Sequence, residues 1–182
     1  MRLTGRRLTL LLATLLLVIL AGGATAAWSF GRSDDRVSVS LADHQPGPSD
    51  SSVVRVSTRA AAHPRSAEVR QALQNYFDAI NEHDFDAWKR SVATQESAPQ
   101  TPDRWRADYR STVDSNIAVM TVSDEPLRAR TMFTSQQDVA LAPPSLPEPC
   151  INWDVTYLLG DQDGRLVVAG TYPSDQSMKA CQ

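Results

Sequence analysis

The stretch Glu68–Val92 limits what this chain can fold into more than any other. Val69, Leu73, Tyr76, Phe77 and Ile80 recur at spacings of three and four, which sets them on one side of an α-helix. Asn81, His83 and Asp84 interrupt that stripe. Phe85, Trp88 and Val92 resume it on a second, shorter helix, with Asp84 placed to cap its first turn. A hairpin with one continuous apolar side has to bury that side, so the rest of the chain must supply a surface for it.

Strands supply it. Ile117, Val119 and Thr121 alternate with Ala118, Met120 and Val122, and Asp124-Glu125-Pro126 reads as a turn. Leu127, Ala129, Thr131 and Phe133 alternate with Arg128, Arg130, Met132 and Thr134, giving one dry face and one wet. Ala142–Pro149 holds four prolines and is a loop between strands. Ile151, Trp153, Val155, Tyr157 and Leu159 share a face opposite Asn152, Asp154, Thr156 and Leu158. Asp161–Gly164 turns the chain into a last strand, Arg165–Tyr172. Ahead of the strands, Pro64, Ser66 and Glu68 signal the start of the first helix. Gln95–Gln100 reads as loop, and Thr101-Pro102-Asp103 opens a short helix carrying Trp105 and Tyr109. Helices followed by an antiparallel meander predict an α+β domain over residues 65–182, with helices packed on a curved antiparallel sheet.

The amino-terminal third has a different character. Arg2, Arg6 and Arg7, in a basic tail of residues 1–7, precede an apolar, uncharged segment over residues 8–28. That is about the 20 residues a helix needs to cross ~30 Å of hydrocarbon. Basic residues ahead of the segment put the tail in the cytoplasm and the bulk of the chain outside. Ala24-Thr25-Ala26 also matches a small-x-small cleavage site, so a membrane anchor and a removed signal peptide both fit. Either way the remainder leaves the cytoplasm. Residues 29–64, rich in Ser, Asp, Arg, Gly and Pro, read as a disordered spacer, although Val53, Val54 and Val56 allow a short strand. His44 and His63 are read there as solvated histidines.

A net charge of −3, with no basic patch among aromatics, argues against a nucleic-acid partner. Three scattered histidines and two distant cysteines give no metal-ligand spacing, and no phosphate-binding loop is present, so neither a metal nor another cofactor is expected. In an oxidising compartment Cys150 and Cys181 most simply form a disulfide that staples the tail from residue 173 onward to the sheet; intermolecular pairing is the alternative.

The segments YFDAINEHDFDAWKR, RWRADY, FTSQQD and CINWDVTYLLGDQDGRLVV resemble the nuclear transport factor 2-like superfamily, whose fold is an α+β cone. The likeness spans Ser66–Tyr172 and is closest to small SnoaL-like or actinobacterial secreted or membrane-anchored members. It implies a pocket between helices and concave sheet, lined here by Tyr76, Phe77, Trp153 and Tyr157, with an Asp, His or Tyr for acid–base work. Asp154, Tyr157 and His83 are the catalytic candidates, beside Asp78 and Asp84, which read more simply as surface and capping residues. Asp154 lies mid-strand, where aspartate is disfavoured. Alternation puts it opposite the Trp153–Tyr157 face, so an ion pair with Arg128 or Arg130 is expected ahead of a pocket acid. No candidate base has an oriented partner.

The expected function is therefore that of a non-catalytic extracytoplasmic domain tethered at a bacterial membrane. It would work through an envelope protein partner or a homodimer, or hold a small apolar ligand. The layout is similar to that of Mce-associated membrane proteins and of bitopic scaffold subunits of type IV secretion machines. The alternative is a secreted SnoaL-like isomerase or cyclase acting on a hydrophobic carbonyl compound.

Overall fold

The computed structural model describes residues 52–182. The basic tail, the segment over residues 8–28 and most of the spacer lie outside the described residues. Among the described residues no helix is long and apolar enough to cross a membrane.

Strand β1 (Arg55–Val56) and helix α1 (Thr58–Ala61) come first, followed by α2 (Ser66–Asn81), α3 (Phe85–Ser91), α4 (Thr94–Ser97) and α5 (Pro102–Tyr109). Four strands follow: β2 (Val113–Ser123), β3 (Arg128–Gln136), β4 (Cys150–Gln162) and β5 (Arg165–Ala180). The five strands lie in one sheet in chain order. The helices pack on one side of it, an α+β arrangement.

Local chemistry places the helix ends. The Asp84 carboxylate accepts the Ala87 N–H at 2.9 Å, and the Thr101 hydroxyl accepts that of Arg104, each meeting a donor the first turn leaves unpaired. The β4–β5 hairpin turns on Asp163 and Gly164, both at positive φ (52° and 74°), the conformation that two-residue hairpins need and that glycine adopts without strain.

Expectations for three regions of the chain require correction. The spacer does not extend to residue 64: β1 pairs in parallel with β2, Arg55 beside Ala118 and Val56 beside Val119, so the sheet is mixed, not purely antiparallel. Val54 is buried in the core, and the Gln74 side chain on α2 accepts its N–H at 2.8 Å, so the segment has an apolar anchor and a hydrogen-bond partner that composition alone did not reveal. His63 is likewise no solvated spacer residue. Its Nδ1 accepts the Arg65 N–H at 3.2 Å and its Nε2 meets Asp124 at 3.1 Å. Second, Thr94–Ser97 is a short helix, not loop. Third, β5 runs to Ala180, well past Tyr172.

The core lies between α2 and the sheet. Val69, Leu73, Phe77 and Ile80 meet Ile117 and Val119 from β2, Ala129 from β3, Val155, Tyr157 and Leu159 from β4, and Val168 from β5. Phe85, Trp88 and Trp105 form a second aromatic group with ring centroids 5.4–5.8 Å apart, which fixes α3 against α5. The Cys150–Cys181 disulfide is intramolecular and joins the start of β4 to the chain just after β5.

Candidate functional site

The most unusual chemical group on the helix side of the sheet is Asp114, near the start of β2. It is 4 % exposed and faces the core side, in register with Ser135 on β3. A bulge between Ser115 and Ala118 turns it inward: Asn116 and Ile117 together oppose Phe133, which reverses the in–out alternation on the amino-terminal side. The last residue of α2 holds the backbone there. Asn81 Nδ2 donates to the Asp114 carbonyl at 2.9 Å, and Asn81 Oδ1 accepts the Asp114 N–H at 2.6 Å. The Ser135 hydroxyl donates to the carboxylate itself.

Three tyrosines lie near enough to this carboxylate for its charge to oppose their ionisation. Tyr76 from α2 lies edge-on to Tyr157 from β4, with centroids 5.6 Å apart, and Tyr109 at the end of α5 neighbours the Tyr76 hydroxyl. Burial raises the Asp114 pKa to about 6, offset in part by the Ser135 hydrogen bond. Burial also pushes the Tyr76, Tyr109 and Tyr157 phenols up, so all three stay protonated across the neutral range. The group thus holds one proton acceptor that titrates near neutrality among three neutral hydroxyl-bearing rings.

That titration has a measurable consequence. A carboxyl whose folded pKa exceeds its unfolded value of 3.8 binds its proton more tightly in the native state. The contribution of Asp114 to stability is therefore full below about pH 4 and is lost as pH rises through about 6. A shift of about two units corresponds to roughly 3 kcal/mol. Chemical denaturation of the wild type between pH 4 and 7 is expected to show that decline, and Asp114→Asn is expected to flatten it. Wild-type and Asp114→Asn profiles of equal slope in that window refute the assignment.

The sequence-derived candidates are distributed differently. Tyr76, Phe77, Trp153 and Tyr157 do come together, joined through Phe133: Phe77 and Phe133 centroids are 5.0 Å apart, and Phe133 stacks on Trp153 at 6.2 Å. These rings pack on one another between the layers. Asp154 is on the opposite side of the sheet, where Arg130 Nε donates to its Oδ1 at 2.8 Å. The pair raises the Arg130 pKa through that hydrogen bond and takes Asp154 out of any helix-side site. Because Arg130 is half exposed, Arg130→Ala is expected to cost less than about 1 kcal/mol in a denaturation midpoint comparison.

His83 sits in the turn after α2 at φ 55°, and its N–H donates to the Ile80 carbonyl, so it reverses the chain between two helices. Its buried Nε2 has no hydrogen-bond partner among the described residues, and no hydrogen bond links it to Asp114. Asp78 accepts from Gln74 Nε2 at 2.7 Å, and Asp84 is the α3 cap. Asp114 itself escaped the sequence reading. The alternation in the sequence starts at Ile117, and only the bulge reveals which way the residues ahead of it point.

Two adjoining surface depressions of about 360 and 370 Å³ run along the outside of α2 and α3 and share Asn75, Arg90, Ser91 and Arg165. Neither is lined by Asp114 or by the tyrosines. Among the described residues no group of three His, Cys, Asp or Glu side chains is placed to hold a metal ion. No protein-family model, curated protein or solved structure matches the chain.

Proposed function

We propose that this is a membrane-tethered, extracytoplasmic domain of the nuclear transport factor 2-like superfamily that works through contacts with other proteins and not through catalysis. One observation carries the reading. The space between α2 and the sheet, where a ligand pocket of such a domain would lie, is occupied by the chain's own rings: Phe77, Phe133, Tyr157 and, at its margin, Trp153. A domain filled in this way has its outer surfaces left to act with. The intramolecular disulfide supports an oxidising location. The basic tail ahead of the apolar segment over residues 8–28 supports a single span with the domain outside.

The test is chemical cross-linking of the full chain in its native membrane, with an alkaline phosphatase reporter fused at the carboxyl terminus. Discrete cross-linked species and an active reporter are expected. An inactive alkaline phosphatase on a stably expressed fusion overturns the location, and a chain that stays monomeric overturns the contact reading.

Asp114 favours a second reading, acid–base chemistry on a hydrophobic carbonyl compound of the SnoaL-like kind. A buried carboxyl with a pKa near 6 beside tyrosine hydroxyls can take up and return a proton at neutral pH. Exchange of the α-protons of a cyclic enone into deuterated water, catalysed by the wild type and lost in Asp114→Asn, would establish it. Equal exchange with and without the protein dismisses it.

A further inference from the structure

The outer edge of β5 is protected over only part of its length. Near Val168 it is covered, because Val92 bridges to Val168 in parallel and Ala93 N–H donates to the Val168 carbonyl. Beyond the irregularity that separates the Tyr157–Thr171 pair from the Val155–Gln176 pair, β5 continues beside β4 alone, with no described strand on its other side. Gln176, Ser177 and Lys179 are exposed there, as are Ser174 and Asp175 at the end of the irregularity just ahead of it. Side chains on both faces of this strand meet water, so core burial does little to hold it. It is held by β4 and by the disulfide immediately after it.

The hydrogen-bond phase of this edge is fixed. Cys181 N–H donates to the Cys150 carbonyl at 3.0 Å, and the register continues through Lys179 with Asn152 and Ser177 with Asp154. Antiparallel bonding alternates, so Ser177, Lys179 and Cys181 spend their backbone groups on β4. Gln176, Met178 and Ala180 direct theirs to the open edge. An unpaired row of this kind is a template for another strand.

We infer that the occupant is a second copy of this chain, its β5 antiparallel to the first about a two-fold axis through Ser177. The charges select that register. Isologous pairing sets each residue against its mirror position, so about Ser177 the two charges of the segment, Asp175 and Lys179, each meet their opposite from the partner copy. The backbone agrees, since Gln176 faces Met178 and both carry outward-pointing groups. Centring the axis one residue earlier sets Asp175 against Ser177 and leaves both charges unmatched. A lone edge lysine ordinarily deters pairing; here an aspartate in the mirror position neutralises that deterrent. The inference rests on the contact reading above and narrows its partner to this chain itself.

Ser177 is the position that meets itself across the axis, as a non-hydrogen-bonded pair with Cα atoms about 4.5 Å apart. That separation is within disulfide range. Ser174 meets Ala180, which leaves the two Ser174 residues roughly 20 Å apart at about 3.3 Å per residue. With the full chain in detergent under mild oxidation, Ser177→Cys is expected to give a reducible covalent dimer at least ten times faster than Ser174→Cys. In the Ser177→Cys background, Lys179→Asp should slow the cross-link several-fold, and adding Asp175→Lys should restore it. Hydrogen exchange on the wild type provides a measurement free of substitutions. Protection of the Gln176, Met178 and Ala180 amides is expected to rise with protein concentration. Equal cross-linking at positions 174 and 177, failure of the charge reversal to restore it, or concentration-independent exchange of those amides each overturns the inference. If other cross-linked partners are still found in the membrane, the broader contact reading survives while this inference falls.

Discussion

Phe77→Ala is expected to lower the unfolding free energy by about 3–5 kcal/mol, the usual cost of deleting a fully buried aromatic side chain. Phe77 is 0 % exposed and meets rings from both layers: Tyr76 beside it on α2, Phe133 on β3 and Tyr157 on β4, with centroids 5.0–6.0 Å away. Removing the ring opens a void between α2 and the middle of the sheet. Of the rings that border it, Phe133 and Tyr157 are held by β-sheet pairing and cannot collapse far. Urea unfolding followed by tryptophan fluorescence reads the effect as a lowered midpoint. Lys89→Ala, an exposed position on α3, is the control and should move stability by no more than about 0.5 kcal/mol. A Phe77→Ala midpoint equal to that of the control would mean that the hairpin does not rest on the sheet through this ring.

Loss of the disulfide is the second large effect. The cysteines are 31 residues apart in sequence, and closing a loop of that length restrains the unfolded chain by about 3–4 kcal/mol. The double substitution Cys150→Ser with Cys181→Ser is expected to lose that amount. The loss should have a local signature as well, because the bond ties down the weakly buried end of β5. The Ser177 and Lys179 amides, which bond to β4, should exchange much faster in the double variant, while those of Val167 and Val168 in the buried half should follow global unfolding. Stability unchanged within about 0.5 kcal/mol would mean that the strand pairing alone holds the tail. The double variant also retains Asp175, Ser177 and Lys179, so its exchange pattern separates disulfide pinning from self-pairing of the edge.

Much of the architecture is legible residue by residue. The three- and four-residue spacing from Val69 to Ile80 locates α2, and Asp84 and Thr101 mark the starts of α3 and α5 through a short-range interaction that any helix end requires. The alternation from Ile151 to Leu159 sorts β4 into a buried and an open face, and the same logic puts Asp154 with the arginines of β3 on the open one. The pairing of Cys150 with Cys181 is the simplest use of the two cysteines the chain has, and the two are bonded to each other. The fold of Val54–Ala61 was not legible in the same way. Its few apolar residues are adequate only because Gln74 and the edge of β2 are waiting to receive them.

The candidate site divides along the same line. The rings of Tyr76, Phe77, Trp153 and Tyr157 could be collected from periodicity, since period and burial go together on a helix or an unbroken strand. Asp114 could not. Sequence alternation carries phase only as far as the ladder stays regular, and the Ser115–Ala118 bulge adds one residue that sends every earlier side chain to the other face.

By itself, then, the sequence marked the strongly periodic elements, α2, α3 and the regular parts of β2 to β4, and the faces of those elements that shun water, because these depend on contacts between near neighbours. Tertiary structure alone decided that the Asp114 carboxylate is buried on the helix side of the sheet and that one stretch of β5 has no neighbouring strand on its outer side among the described residues. Both depend on strand register, and register is set by all the strands packing together, not by any one of them.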